Sequence, residues 1–186
     1  MKRIFDFCLA LLALLILLLP IAVIAALVRL TSRGPAIYWS DRVGRYNAIF
    51  RMPKFRTMRV DTPAVATHLL DNPQQFLTPI GSFLRRTSLD ELPQLWSIIK
   101  GDMSFVGPRP ALFNQDDLIL LRSRCGVDRL RPGLTGWAQI NGRDELAIPQ
   151  KVRLDEEYMQ RRSFWFDLHI LLLTFQKVFR KDGITH

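Results

Sequence analysis

The sequence predicts an α-rich α+β protein in two parts. Residues 1–32 form an N-terminal re-entrant membrane helix-break-helix, and residues 33–186 form a compact cytoplasmic domain with amphipathic interfacial helices. Three observations predict this. An uncharged apolar run, Phe7–Val28, is interrupted by Pro20. Cations flank it on both sides, Lys2 and Arg3 before and Arg29 and Arg33 after. The remainder alternates helix-period segments with one short β-like stretch and loops punctuated by proline and glycine.

The apolar run exceeds the roughly 20 residues that cross a bilayer as a straight helix. It is longer than the apolar core of a signal peptide, and no A-x-A site follows it. Pro20 removes a hydrogen bond and crowds the preceding turn, so it breaks the helix. The arm Phe7–Leu19 then measures about 20 Å, too short to span alone. Cations at both ends prefer the cytoplasmic side, which a hairpin entering and leaving one leaflet satisfies.

Residues 29–60 are basic and turn-rich, and "TSRGPAIYWSDRVGR" reads as loop plus a short β-like stretch. Residues 61–79, with Pro63, Pro73 and Pro79, read as an extended surface connection. The segment 80–110 reads as a helix, a second helix starting near Ser88, and a loop pinned by Pro108 and Pro110. Residues 114–125 read as an amphipathic helix, 131–143 as glycine-punctuated loop, and 149–162 as a polar helix. The stretch 163–181 mixes aromatics, leucines and cations around Asp167 and His169. It reads as an interfacial amphipathic helix or a core helix.

Composition narrows the partner. The chain is 48% hydrophobic yet carries a net charge of +9, which suits something both apolar and negative. An anionic membrane surface fits, with nucleic acid or a phosphorylated small molecule as rivals. Cys8 and Cys125 form no C-x-x-C pair, and the three histidines are scattered. Neither a zinc site nor a disulfide framework is indicated. No P-loop, G-x-G-x-x-G or G-x-S-x-G occurs. A phosphorylated ligand would be held by side-chain cations, helix N-termini and a metal. Lys54, Arg56, Arg85, Arg86, Arg109, Arg131 and Arg143 are the candidates, and each could equally be a solvated surface charge. Arg109 lies between two prolines that stiffen its backbone, and its planar fork suits phosphate.

The adjacent carboxylates of "RTSLDELPQ" admit two readings. Ser88-Leu89-Asp90-Glu91 matches a capping box, in which the serine hydroxyl and the glutamate satisfy free N–H groups of a helix start. The same start could present an ionised nucleophile where phosphates bind. One carboxylate would attack or hold metal while the other orients or takes a proton.

"KFRTM", "RRTSLDELPQLWSIIKGDMSFVGPRP", "RPGLTGWAQINGR" and "SFWFDLHILLLT" resemble the bacterial sugar transferases, specifically the small monotopic phosphoglycosyl transferases. The resemblance covers nearly the whole chain. It implies transfer of a sugar-1-phosphate from a UDP-sugar to undecaprenyl phosphate, with UMP released and Mg2+ required. This would be the first membrane step of glycoconjugate assembly, on the cytoplasmic face of the bacterial inner membrane. By this resemblance Asp90 is the nucleophile and a metal ligand, and Glu91 assists. Lys54, Arg56, Arg85, Arg109, Arg131 and Arg143 would bind substrate. An acetamido-sugar donor is expected from the short N-terminal segment, by family analogy. Partners would be the two substrates, membrane lipids and downstream glycosyltransferases, with no nucleic acid. The hairpin break of the family often reads Ser-Pro, whereas Leu19 precedes Pro20 here. The competing class is a membrane-anchored module binding nucleic acid or acidic lipid through its basic face. It would need aromatics interleaved with the cations, and the four tryptophans lie in unrelated segments.

Overall fold

A computed structural model describes residues 2–62, 73–142 and 146–180. The chain opens with two helices, α1 (Lys2–Ile16) and α2 (Leu18–Thr31), bent by 63° at Leu17. The bend lies three residues before the expected break at Pro20. Proline is at home in the first turn of a helix, where an N–H has no partner to lose. Pro20 therefore starts α2, and the discontinuity falls on the turn before it. Leu17 still donates to the Ala13 carbonyl at 2.9 Å and accepts from Ile21 at 2.8 Å. No single helix among the described residues is long and apolar enough to cross a membrane, although the bent pair together is. Leu12, Leu15, Ile16, Leu18 and Leu19 around the bend are each more than half exposed.

Both ends of this pair are fastened to the rest of the chain. The Lys2 ammonium donates to the Val106 carbonyl at 3.2 Å and pairs with Asp167. Arg3 donates to the carbonyls of Ile98 and Ile99. Asp6 is 3% exposed and accepts from the Ser104 hydroxyl at 2.8 Å. At the far end, the Arg56 guanidinium donates to the carbonyls of Ser32, Arg33 and Pro35 at 2.6–3.0 Å. Lys2 and Arg3 thus serve as internal ties as well as flanking charges.

Strands β1 (Ile37–Val43) and β2 (Ile49–Phe55) form an antiparallel hairpin, with Ile37 opposite Phe55 and Val43 opposite Ile49. The sequence reading expected only a short β-like stretch here. Pro53 hides the second strand, because proline cannot donate to a central ladder. In a sheet of two strands both are edges, so its missing N–H costs little. Tyr46 and Asn47, at φ 55° and 60°, turn the chain between them.

Helix α3 (Gly81–Arg86) leads through a 3₁₀ turn, Leu89–Gln94, into α4 (Leu95–Lys100). Strand β3 (Ser104–Val106) then pairs in parallel with β4 (Gly133–Thr135), Ser104 opposite Gly133. This corrects the reading of 131–143 as loop. Strands of three residues are too short for a periodic signal, and glycine permits the close approach. A Cβ on Gly133 would fall 2.1 Å from the Gly107 nitrogen.

Helices α5 (Asp116–Arg124), α6 (Trp137–Ile140), α7 (Ile148–Arg161) and α8 (Phe164–Arg180) complete the fold. The main core joins Met52, Leu95, Ile98, Met103, Tyr158 and Ile170, and Ala10 of α1 belongs to it. A second cluster packs Ile24 and Val28 of α2 on Phe55 and Leu84. Helices α1 and α2 are therefore built into the same body as the domain that follows. α8 is apolar on both its buried and its exposed sides: Phe166 and Ile170 are buried, while Trp165, Leu172 and Phe175 are more than half exposed. Of the connection expected at 61–79, residues 63–72 lie outside the described residues. Pro73–Phe76 form a 3₁₀ turn.

Candidate active site

Three elements converge on the carboxylate pair. The 3₁₀ turn carries Asp90, Glu91 and Gln94, β2 packs against it and brings Lys54, and the loop after β3 brings Arg109. Lys54 Nζ lies 2.8 Å from Glu91 Oε1, and Arg109 lies 3.8 Å from the same oxygen. Lys54, Glu91, Gln94 and Arg109, with Arg42, line a small, shallow cleft.

The capping box does not form. Ser88 sits at φ 55°, ψ 16°, in the left-handed region, and its side chain makes no cap hydrogen bond. A capping residue needs extended backbone to aim its oxygen at the N–H two or three residues on. The contact that forms instead is between backbones: Glu91 N–H donates to the Ser88 carbonyl at 3.2 Å. The Glu91 carboxylate, the other half of the expected box, is held by Lys54. The helix expected from Ser88 begins as the tighter 3₁₀ turn, and α4 starts only after Pro93.

The two carboxylates differ in partners. Glu91 is paired. Asp90 is 9% exposed and forms no ion pair among the described residues; Lys54 and Arg85 act on it through space. Burial pushes the Asp90 carboxyl above the ordinary carboxylate range, Glu91 adds to the rise, and the two cations pull against it. Arg85 is oriented by its Nε–H, which donates to Thr57 Oγ1 at 3.0 Å. The site therefore holds a buried carboxylate with no direct ion pair among the described residues, beside cations that favour an anionic ligand.

The loop Pro108-Arg109-Pro110 is held by more than its prolines. The Arg109 carbonyl accepts from Arg122 at 2.8 Å, and Arg122 is paired with Asp155 at 2.6 Å in a buried bridge between α5 and α7. Arg42 donates to the Pro110 carbonyl at 3.3 Å. The sequence reading singled out none of Arg42, Gln94, Arg122 and Asp155. Arg42 could have been found, since it stands two residues from buried Ser40 at the strand period of two. Arg122 and Asp155 meet across 33 residues, and nothing local announces that.

Lys54, Arg85, Asp90, Glu91 and Arg109 are brought together. Arg56 and Arg131 are not brought to the pair. All side-chain hydrogen bonds of Arg56 go to residues 32–35, and Arg131 Nε donates to the Gly101 carbonyl at 2.9 Å. Arg143 lies outside the described residues. Among the described residues no cluster of three or more His, Cys, Asp or Glu could enclose a metal. Mg2+ takes only one or two protein carboxylates when phosphate oxygens and water supply the rest, and Asp90 and Glu91 are the carboxylates of this site.

Residues 1–181 match the family described as bacterial sugar transferase. A relative in Bacillus subtilis, the uncharacterized sugar transferase EpsL, is 39% identical over 99% of this chain and 90% of its own length. The UDP-glucose:undecaprenyl-phosphate glucose-1-phosphate transferase of Escherichia coli is 40% identical over 96% of this chain. The undecaprenyl-phosphate galactose phosphotransferase of Salmonella typhimurium is 39% identical over 81%. The match spans only 40% and 34% of those two longer proteins.

Proposed function

The chain belongs to the bacterial sugar transferase family, and on that premise we propose that it transfers a sugar-1-phosphate from a UDP-sugar to undecaprenyl phosphate. The observation that carries this is the difference between its two adjacent carboxylates. Glu91 is tied by Lys54 and Arg109, while Asp90 is buried with no ion pair among the described residues, beside a cationic cleft. A carboxylate attacks with a lone pair, and a direct ion pair would occupy it.

An Asp90 oxygen attacks the sugar-bearing phosphorus. The bond between that phosphorus and the bridging oxygen breaks, and the oxygen leaves with its electron pair as part of UMP. An oxygen of the lipid phosphate then attacks the aspartyl phosphosugar and releases the Asp90 carboxylate. Lys54, Arg85 and Arg109 offset the negative charge on the diphosphate. Arg109, with its backbone fixed by two prolines and by Arg122, presents a planar fork. With one Asp90 oxygen left free to attack, the other and Glu91 would hold Mg2+, which when bound would neutralise phosphate charge.

We place the bend of α1 and α2 in the cytoplasmic leaflet of the bacterial inner membrane. Each arm, 15 and 14 residues long, is about 22 Å, short of the roughly 30 Å hydrocarbon core. Both ends are bonded to the same globular body, which leaves the exposed leucines of the bend to enter the lipid. The test is UMP release in detergent with Mg2+ and undecaprenyl phosphate. Donors should include UDP-glucose, UDP-galactose and UDP-acetamido sugars, which separates the acetamido expectation from the sugars in the relatives' names. No UMP from any donor would overturn the proposal.

A further inference from the structure

We infer that Gln94 contacts the transferring phosphate: its side-chain amide donates a hydrogen bond to a non-bridging oxygen of the phosphorus that Asp90 attacks. The inference rests on the transfer proposed above. Gln94 is 3% exposed, and its Nε2 finds no hydrogen-bond partner among the described residues. Buried polar groups are nearly always paired. This exception stands on the wall of the cleft, beside Glu91, Lys54 and Arg109. Glu91 and Gln94 are three residues apart in a 3₁₀ turn, where side chains at that spacing eclipse. That spacing puts Gln94 on the same side of the turn as the carboxylate that Lys54 holds.

The chemistry of the amide fits this place. A cation at position 94 would pair with Asp90 or Glu91 and quench the attack. A neutral N–H cannot capture a carboxylate so firmly, yet it stabilises charge on a phosphate oxygen. The surrounding Lys54, Arg42 and Arg109 select an anion, and the diphosphate is the anionic part of the donor. Gln94 gives up no proton in the step; the bond that forms is Asp90 oxygen to phosphorus, and the bond that breaks releases UMP.

The test uses the full chain in detergent. Gln94→Met keeps the side-chain length and removes the unmatched amide. At saturating donor, UMP release should fall about 10- to 100-fold, by the same factor for every UDP-sugar the wild type accepts, while Tm does not fall. Wild-type turnover with an unchanged Gln94→Met rate would overturn the inference. So would a loss confined to one sugar, which would place the amide on the sugar ring. If Gln94→Met lowers Tm, Gln94→Glu decides, because it keeps the shape and loses the donor: a wild-type rate overturns the inference and a loss at unchanged Tm supports it. A wild type that releases no UMP from any donor would instead defeat the proposed transfer.

Discussion

Two polar regions of this molecule use their charges in opposite ways. Where the helix pair meets the domain, the charged groups are matched: Lys2 with Asp167, Arg3 with the carbonyls ending α4, Asp6 with Ser104, Arg56 with the carbonyls that follow α2. Around the 3₁₀ turn, Asp90 has no ion pair and Gln94 Nε2 no partner among the described residues. Matched burial holds a fold together, and unmatched burial is destabilising unless a ligand uses it. The contrast separates residues that fasten from residues that act, which charge alone could not do in this sequence.

The largest expected effect is at Asp90. Asp90→Asn keeps the shape and removes the attacking charge, so turnover should drop by roughly a thousandfold or more. Stability should hold or rise, because burial pushes the Asp90 carboxyl up and its ionised form is the disfavoured one. The sign follows from linkage. The folded state keeps the proton longer than the unfolded chain, so this group's stability contribution is full below the ordinary carboxylate value. It declines as pH rises through the folded pKa. Activity runs the other way: kcat/KM should rise with pH along an acid limb lying above about 3.9. An acid limb at or below that value would remove the burial argument, and wild-type turnover in Asp90→Asn would remove the nucleophile.

The fastening class should respond in the opposite sense. Asp155→Ala leaves Arg122 buried without its partner and should cost about 3–5 kcal/mol, read by thermal denaturation. If Asp155→Ala unfolded no earlier than wild type, matched burial would not be what holds the Arg109 loop.

What the sequence made legible follows the same line. A helix pair with a break is written in composition, as an apolar run with one proline. The break landed at Leu17 because a proline begins a helix more easily than it ends one. The gathering of Lys54, Arg85 and Arg109 about the dyad came from motif resemblance. Arg56, in the same "KFRTM", is chemically identical to a ligand-binding arginine until its carbonyl partners at 32–35 are seen. Gln94 was illegible because nothing local marks a missing partner. The capping box failed because a four-residue pattern does not specify φ, and Ser88 sits at φ 55°.

The smallest effect tests that last point. Ser88 makes no cap hydrogen bond, so Ser88→Ala should change stability by less than the roughly 1 kcal/mol a lost cap costs. Ser88→Gly should be neutral or stabilise by up to about 1 kcal/mol, because glycine adopts the left-handed conformation freely. A Ser88→Ala loss of a full cap's worth, by denaturant titration, would restore the capping box.

The central claim is that Asp90 becomes covalently bonded to phosphorus. The protein is incubated with an accepted UDP-sugar and Mg2+ while undecaprenyl phosphate is withheld, then digested and examined by mass spectrometry. The expected result is a phosphosugar adduct on Asp90, released by hydroxylamine as an acyl phosphate should be, discharged by added lipid phosphate and absent from Asp90→Asn. An adduct on another residue, or UMP release that requires the lipid and leaves no adduct on Asp90, would contradict the account.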